Sequence, residues 1–282
     1  MTCPPVPERR LPGKALGIAL LCAGLAAPVY GGTSGSDGSR AALVIGNGSY
    51  RSSPLANPVG DAQAVAAGLR RLGFQVTFKE NTSRRDLIEA LRDFANSAPQ
   101  HGVRLFYYAG HGVQSRGRNY LIPVDAGLAG EEDLPAQAAD LSDFVDRLGG
   151  ARNGMSVIVL DACRNNPFGN ATMQLADARA ARTRSLATVS EGLAPVTAPS
   201  GALIAYSTAP GAVAADSPDR RHSVYTKHLL QWMNVPGLTV ERMFKNVRIA
   251  VALETRQKQV PWESSSLMGE FCFQTRSDGT CG

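Results

Sequence analysis

The chain has 282 residues, 44% of them hydrophobic, and a formal net charge of +5. That length suits one large domain or two small ones, with enough apolar residues for a full core. The basic residues are scattered and no aromatic patch interleaves them, so nucleic acid is not an expected partner.

Arg9, Arg10 and Lys14 precede an apolar stretch from Ala15 to Ala27, followed by Pro28 and a Gly/Ser-rich segment from Gly31 to Ser39. That order reads as a secretory signal peptide over residues 1–30 and a flexible linker over 31–39. Cleavage is expected after Ala26 or near Gly31, since Pro28 disfavours a cut directly before it. The apolar run is shorter than the roughly 20 residues of a membrane span. The expected location is secreted or periplasmic, with an uncleaved signal acting as a membrane anchor as the alternative. Cys22 follows Leu21, which is bulkier than a lipid-attachment box prefers.

The elements follow in chain order. A strand is expected over 41–45, closed by Gly46-Asn47-Gly48, then a helix over 61–72 ending at Gly73. A second strand covers 74–78, and a second helix covers 84–96 with Thr82 or Ser83 as its cap. Residues 105–109 form a third strand, 120–124 a short strand or hairpin arm, 141–148 a helix, and 156–160 a fourth strand. A long connection over 170–199, rich in Ala, Ser, Thr and Arg, lacks apolar periodicity and reads as a flexible segment. A fifth strand covers 202–207, and helices over 225–233 and 240–253 close the chain. Strands alternating with helices imply an α/β fold with a parallel sheet covered on both faces.

Two of the apolar runs end in reactive residues. Arg104 to Ala109 leads into Gly110-His111-Gly112, and Met155 to Leu160 leads into Asp161-Ala162-Cys163-Arg164. In open α/β sheets chemistry collects beyond the carboxyl ends of the strands. Neighbouring strands would bring a thiol and an imidazole to one edge, as a cysteine hydrolase requires. Cys163 follows its strand among Asp161, Arg164, Asn165 and Asn166, a polar setting unlike that of a core thiol. His111 is the candidate general base and acid. His101, His222 and His228 sit in polar sequence and read as surface groups. The amides of Gly112 and Cys163 are candidates for an oxyanion hole. No acidic residue is clearly placed to orient His111. Without the signal peptide, and so without Cys3 and Cys22, the thiols are Cys163, Cys272 and Cys281. An oxidising compartment would permit a Cys272–Cys281 disulfide; the alternative is a buried Cys272 and a dangling Cys281. No Cys/His spacing matches a zinc site.

His111 precedes Cys163 by about 50 residues, the caspase spacing. With Ala42-Leu43-Val44-Ile45-Gly46-Asn47, Tyr108-Ala109-Gly110-His111-Gly112, Leu160-Asp161-Ala162-Cys163-Arg164, Ala205-Tyr206-Ser207-Thr208 and Pro261-Trp262-Glu263-Ser264-Ser265-Ser266, the chain resembles the caspase-like (clan CD, C14) cysteine peptidases, of the bacterial metacaspase or orthocaspase type. The resemblance implies a caspase-like three-layer α/β/α sandwich with a largely parallel central sheet over residues 40–273, leaving 274–282 as a C-terminal tail. It implies a thiol endopeptidase with a Cys163–His111 dyad. Where caspases place a pocket glutamine two residues before the cysteine, this chain has Asp161, which would attract a cationic side chain. In metacaspases the matching aspartate and a second one after the first strand recognise Arg or Lys. Asp61 best matches the second, its plainer role being a cap for the helix it begins, and Ser207 is a further pocket candidate.

Arg179, Arg182 and Arg184, in the segment between the subunit-like halves, are candidate self-cleavage sites. Many metacaspases need calcium; Glu131, Glu132, Asp133 and Asp140 are acidic, but their spacing is no recognisable calcium loop, so calcium stays open. The implied partners are protein or peptide substrates with basic residues, with no membrane contact beyond the signal peptide and a monomeric state. The alternatives are a catalytically silent caspase-fold module that binds peptides or partners, and an amidase acting on small substrates.

Overall fold

The computed structural model describes residues 39–97, 101–149, 153–163, 193–209 and 221–282. The expected signal peptide over 1–30, almost all of the 31–39 linker, the arginines at 179, 182 and 184, and Arg164, Asn165 and Asn166 lie outside the described residues. Eight strands are described: β1 (Arg40–Gly46), β2 (Gln75–Glu80), β3 (His101–Ser115), β4 (Arg118–Leu121), β5 (Ala139–Asp140), β6 (Asn153–Cys163), β7 (Ala202–Tyr206) and β8 (Trp262–Ser265). The helices are α1 (Pro58–Arg71), α2 (Arg84–Ser97), α3 (Leu134–Gln137), α4 (Leu141–Gly149), α5 (Val224–Trp232) and α6 (Val240–Glu254), with a 3-10 turn at Glu131–Asp133.

The main sheet has the order β2-β1-β3-β6-β7-β8, and β4 and β5 branch off as a side ribbon. All pairings in that path are parallel except β7–β8. The four inner strands are apolar on both faces because both faces are covered. Val44, Tyr107, Val159 and Ala205 face α1, α5 and α6, sharing one cluster with Val65, Leu69, Tyr225, Leu229, Phe244 and Val247. Ile45, Phe106, Ile158 and Ile204 alternate onto the other face with Leu87 and Leu91 of α2 and Phe144 and Val145 of α4. The result is the three-layer α/β/α sandwich with a mostly parallel sheet.

Several boundaries differ from the sequence reading, and three of the differences matter for function. Helix α1 begins at Pro58, with Asn57 rather than Asp61 at its N-cap. Proline suits the first helical position because its missing N–H needs no partner there, and this moves Asp61 inside the first turn. Neither His111 nor Cys163 lies beyond a strand: β3 continues through His111 to Ser115, and β6 includes Cys163. The strand continues because β3 exchanges partners. Its ladder with β1 ends at Gly46↔Ala109, its ladder with β6 ends at His111↔Cys163, and from Gly112 it pairs with β4. Finally, the end of the connection expected to be flexible is held in place. Leu193, Ala194 and Ala198 are buried, and the Asn119 side-chain amide brackets Ala194, donating to its carbonyl at 2.8 Å and accepting from its N–H at 2.7 Å. Among smaller differences, Ser83 rather than Thr82 caps α2, accepting from the Asp86 N–H at 3.2 Å. The Thr82 hydroxyl bonds to Asn47 Oδ1 instead.

The residues expected to form a tail, 274–282, fold back. Cys272 and Cys281 are disulfide-bonded with Cα atoms 5.7 Å apart, and Gly237 exchanges backbone bonds with Gln274 and Gly282. Among the described residues no helix is long and apolar enough to cross a membrane.

Candidate active site

The carboxyl ends of β1, β3, β6 and β7 form one edge, and the N-terminal ends of α1 and α5 close against it. Helix α1 comes this close because Gly46 has no side chain. A Cβ there would lie 2.5 Å from the Pro58 carbonyl oxygen and 2.7 Å from the Ala62 Cβ. The contact sets Asp61 beside the edge where β6 carries Asp161.

His111 and Cys163 are register partners in the β3–β6 ladder. His111 is buried, and its Nε2 lies 2.7 Å from the Ser53 carbonyl oxygen. A carbonyl only accepts, so Nε2 carries the proton and Nδ1 carries the lone pair. Nδ1 is buried and has no partner among the described residues. Burial pushes the imidazole pKa below its usual value of about 6.5, against the opposing effect of the Ser53 carbonyl. The ring packs against Tyr50 with centroids 4.3 Å apart, and the His111 N–H donates to the Tyr50 hydroxyl at 2.9 Å. Gly110 makes room for this contact, since a Cβ on it would fall 2.6 Å from the Tyr50 oxygen and 2.8 Å from the Tyr108 oxygen. A neutral imidazole with a fixed tautomer is the state a general base needs. The group that orients it is a backbone carbonyl, which no search for an acidic partner would find.

The two acids lie in one buried network. Asp61 accepts from His222 Nδ1 at 2.7 Å and from the Ser223 N–H at 3.1 Å. Asp161 accepts from the Ser223 hydroxyl and from Thr226 Oγ1 at 2.8 Å. Ser223 is also the N-cap of α5, its oxygen accepting from the Thr226 N–H at 2.9 Å. One residue thus joins both carboxylates to the start of a helix. Tyr107, at 2.6 Å from Thr226 Oγ1, has its pKa raised well above 10 by burial first, then by Asp161 and Asp61. His222 is therefore not the plain surface group expected from its polar neighbours, because it sits on Asp61. His228 likewise pairs with Glu254 at 2.7 Å, with its side chain only 13% exposed. Ser207 follows β7 immediately. Its N–H bonds to the Leu160 carbonyl at 2.9 Å and its carbonyl accepts from Gln259 Nε2 at 2.7 Å, while its hydroxyl is buried without a partner among the described residues.

The structure brings His111, Asp61, Asp161 and Ser207 to one edge with the Gly112 and Cys163 backbones. Sequence reasoning missed Tyr50, Ser53, Ser223 and Thr226. Ser223 had a readable signal, since it stands directly before an apolar helical pattern as a capping residue does. Nothing local marks Tyr50 or Ser53.

Three of the four acidic residues considered for calcium, Glu131, Asp133 and Asp140, have partners of their own. Glu131 accepts from Ser115 Oγ and lies 3.6 Å from Arg116, Asp133 accepts from the Ala129 and Gly130 N–H groups, and Asp140 pairs with Arg118 at 2.6 Å. Among the described residues no three His, Cys, Asp or Glu side chains cluster as metal ligands.

A buried histidine within one strand, paired in register with a cysteine on the next strand of a mostly parallel, helix-covered sheet, defines a class, the caspase-like cysteine peptidases. The caspase-domain model of the C14 peptidase family matches residues 39–272, and the chain belongs to that family. It is 30% identical over 142 residues to the human mucosa-associated lymphoid tissue lymphoma translocation protein 1, a match covering 49% of this chain and 17% of that protein. The mouse homolog of that protein matches equally, at 30% over 142 residues and 16% of its length. The chain thus spans about a sixth of the curated relatives it matches.

Proposed function

We propose that the chain is a cysteine endopeptidase that hydrolyses peptide bonds after Arg or Lys. The observation that carries this reading is the pairing of His111 with Cys163 beside two buried carboxylates tied together through Ser223. His111 Nδ1 takes the thiol proton as the Cys163 sulfur attacks the scissile carbonyl, and the same nitrogen then protonates the leaving amine. The Gly112 and Cys163 amides stabilise the oxyanion. Water, deprotonated by His111, hydrolyses the thioester and frees the thiol. Asp61 and Asp161, with Ser207, hold the cationic side chain on the acyl side of the cut, where a guanidinium can span two acids.

The same specificity acting on the chain itself would cut after Arg179, Arg182 or Arg184. We read the enzyme as a secreted or periplasmic monomer that needs no metal for the chemical steps. Buried donors on both carboxylates and the Ser53 carbonyl on His111 support an assembled site over a silent binding module.

The test uses matched fluorogenic peptides ending in Arg, Lys or Asp, with calcium or with a chelator, on the mature protein and its Cys163→Ala variant. Cleavage after Arg or Lys that vanishes in the variant is expected. Cleavage after Asp would overturn the pocket assignment, and a folded protein that cleaves none of the peptides would overturn the peptidase reading.

A further inference from the structure

We infer that His222 is a specificity-determining residue of the basic pocket. It occupies Asp61 in the resting chain and must swing away before a substrate cation can reach that carboxylate. This inference rests on the proposed Arg/Lys specificity.

Access to the acids is the starting point. The Asp61 side chain is 2% exposed and Asp161 is 5% exposed as a residue, so neither presents its carboxylate to solvent. For a guanidinium or ammonium arriving from outside, the candidates to move aside, among the described residues, are the groups that touch the two acids. Helix α1 cannot, because its first turn is packed against Gly46. Ser223 is held by its bonds to Asp61, Asp161 and the Thr226 N–H, and by its place as the cap of α5. Thr226 is fully buried between Asp161 and Tyr107. His222 differs from all of these. It precedes the cap and lies outside the helix, and its side chain is 30% exposed.

Its chemistry fits the same role. An imidazole N–H on a buried carboxylate is what an incoming cation replaces, so the resting pocket already contains an internal donor. Displacing it costs one hydrogen bond to an ionised group, and binding of a basic side chain is weakened by that amount. A bond of this kind corresponds to about tenfold in affinity. The effect falls on binding and leaves the chemical step alone, because the described partner of His222 is Asp61, and the described partner of the His111 ring nitrogen is the Ser53 carbonyl.

Benzamidine, a small aromatic amidinium, is the probe. Its binding is measured by calorimetry in the Cys163→Ala protein, where turnover plays no part, and again with His222→Ala, His222→Phe or His222→Gln added. Tighter binding by about tenfold in His222→Ala is expected. His222→Gln, which keeps an N–H donor, should stay near the parent. His222→Phe separates the lost bond from the opened space, and an affinity between parent and His222→Ala is expected. In the active enzyme, His222→Ala should lower KM for arginyl peptides with kcat within about twofold. Thermal melts establish that each variant is folded. Unchanged or weaker benzamidine binding in a folded His222→Ala protein overturns the inference while leaving the basic pocket standing. Failure of benzamidine to bind any variant, with peptides ending in Arg and Lys also uncut, overturns the pocket reading and this inference with it.

Discussion

Ser223→Ala is the sharpest single test of the network beneath the site. The substitution leaves the backbone N–H on Asp61 at 3.1 Å untouched. It removes the hydroxyl that donates to Asp161 and accepts from the Thr226 N–H at 2.9 Å. Loss of a serine N-cap costs about 1 kcal/mol. Loss of a hydrogen bond to a charged group costs about 2 kcal/mol, at a site where Asp161 cannot regain water because it is only 5% exposed. The expected loss is therefore about 3 kcal/mol, which for a domain of this size lowers Tm by about 6–12 °C. Urea and thermal unfolding of the mature protein provide the measurement, with Ser223→Thr as the control that keeps the hydroxyl. In the peptidase assay KM for arginyl peptides should rise while kcat changes little, since the His111–Ser53 contact lies outside the network. A loss under about 0.5 kcal/mol would refute the argument, as would a fall in kcat with KM unchanged.

Three further outcomes follow from the same geometry. Burial favours the neutral form of His111, so the folded chain holds fewer protons than the unfolded chain between the lowered pKa and the usual one. Stability should therefore fall as pH drops through about 6.5 and level off below the folded value, and the acidic limb of kcat/KM should lie below about 6.5; an acidic limb above pH 7 would show that His111 is not the base. Gly110→Ala should displace the Tyr50 or Tyr108 hydroxyl by steric overlap and abolish most activity, read as kcat with near-UV circular dichroism reporting the tyrosine environment, and a fully active variant would mean the Tyr50 contact does not hold His111. Replacing both Cys272 and Cys281 with serine opens a short loop and should cost about 2–3 kcal/mol in chemical unfolding without changing KM, because the bond lies in the chain end that folds back on Gly237.

Much of this molecule is determined by its sequence alone. Strands β1, β3, β6 and β7 are legible because helices cover both faces of the sheet, and that burial leaves an uninterrupted apolar run in the chain. His111, Cys163 and Asp161 stand out in the sequence because polar or reactive residues interrupt such runs, although the structure buries His111 and Asp161 and keeps all three within strands. Strands β5 and β8 are not legible: Ala139–Asp140 is two residues long and Trp262–Ser265 carries no apolar alternation, so only pairing with a neighbour makes them strands. The long-range contacts of the site were hidden too, even where the capping signal of Ser223 was readable. Ser53 is 58 residues from His111, and Ser223 is 162 residues from Asp61. A serine in an irregular segment looks the same whether it faces water or a buried imidazole. Sequence periodicity reports burial of a face, whereas a hydrogen bond between distant residues depends on where the finished sheet edge brings two helix ends together. That edge alone decided that His222 rests on Asp61 and that a backbone carbonyl orients the histidine.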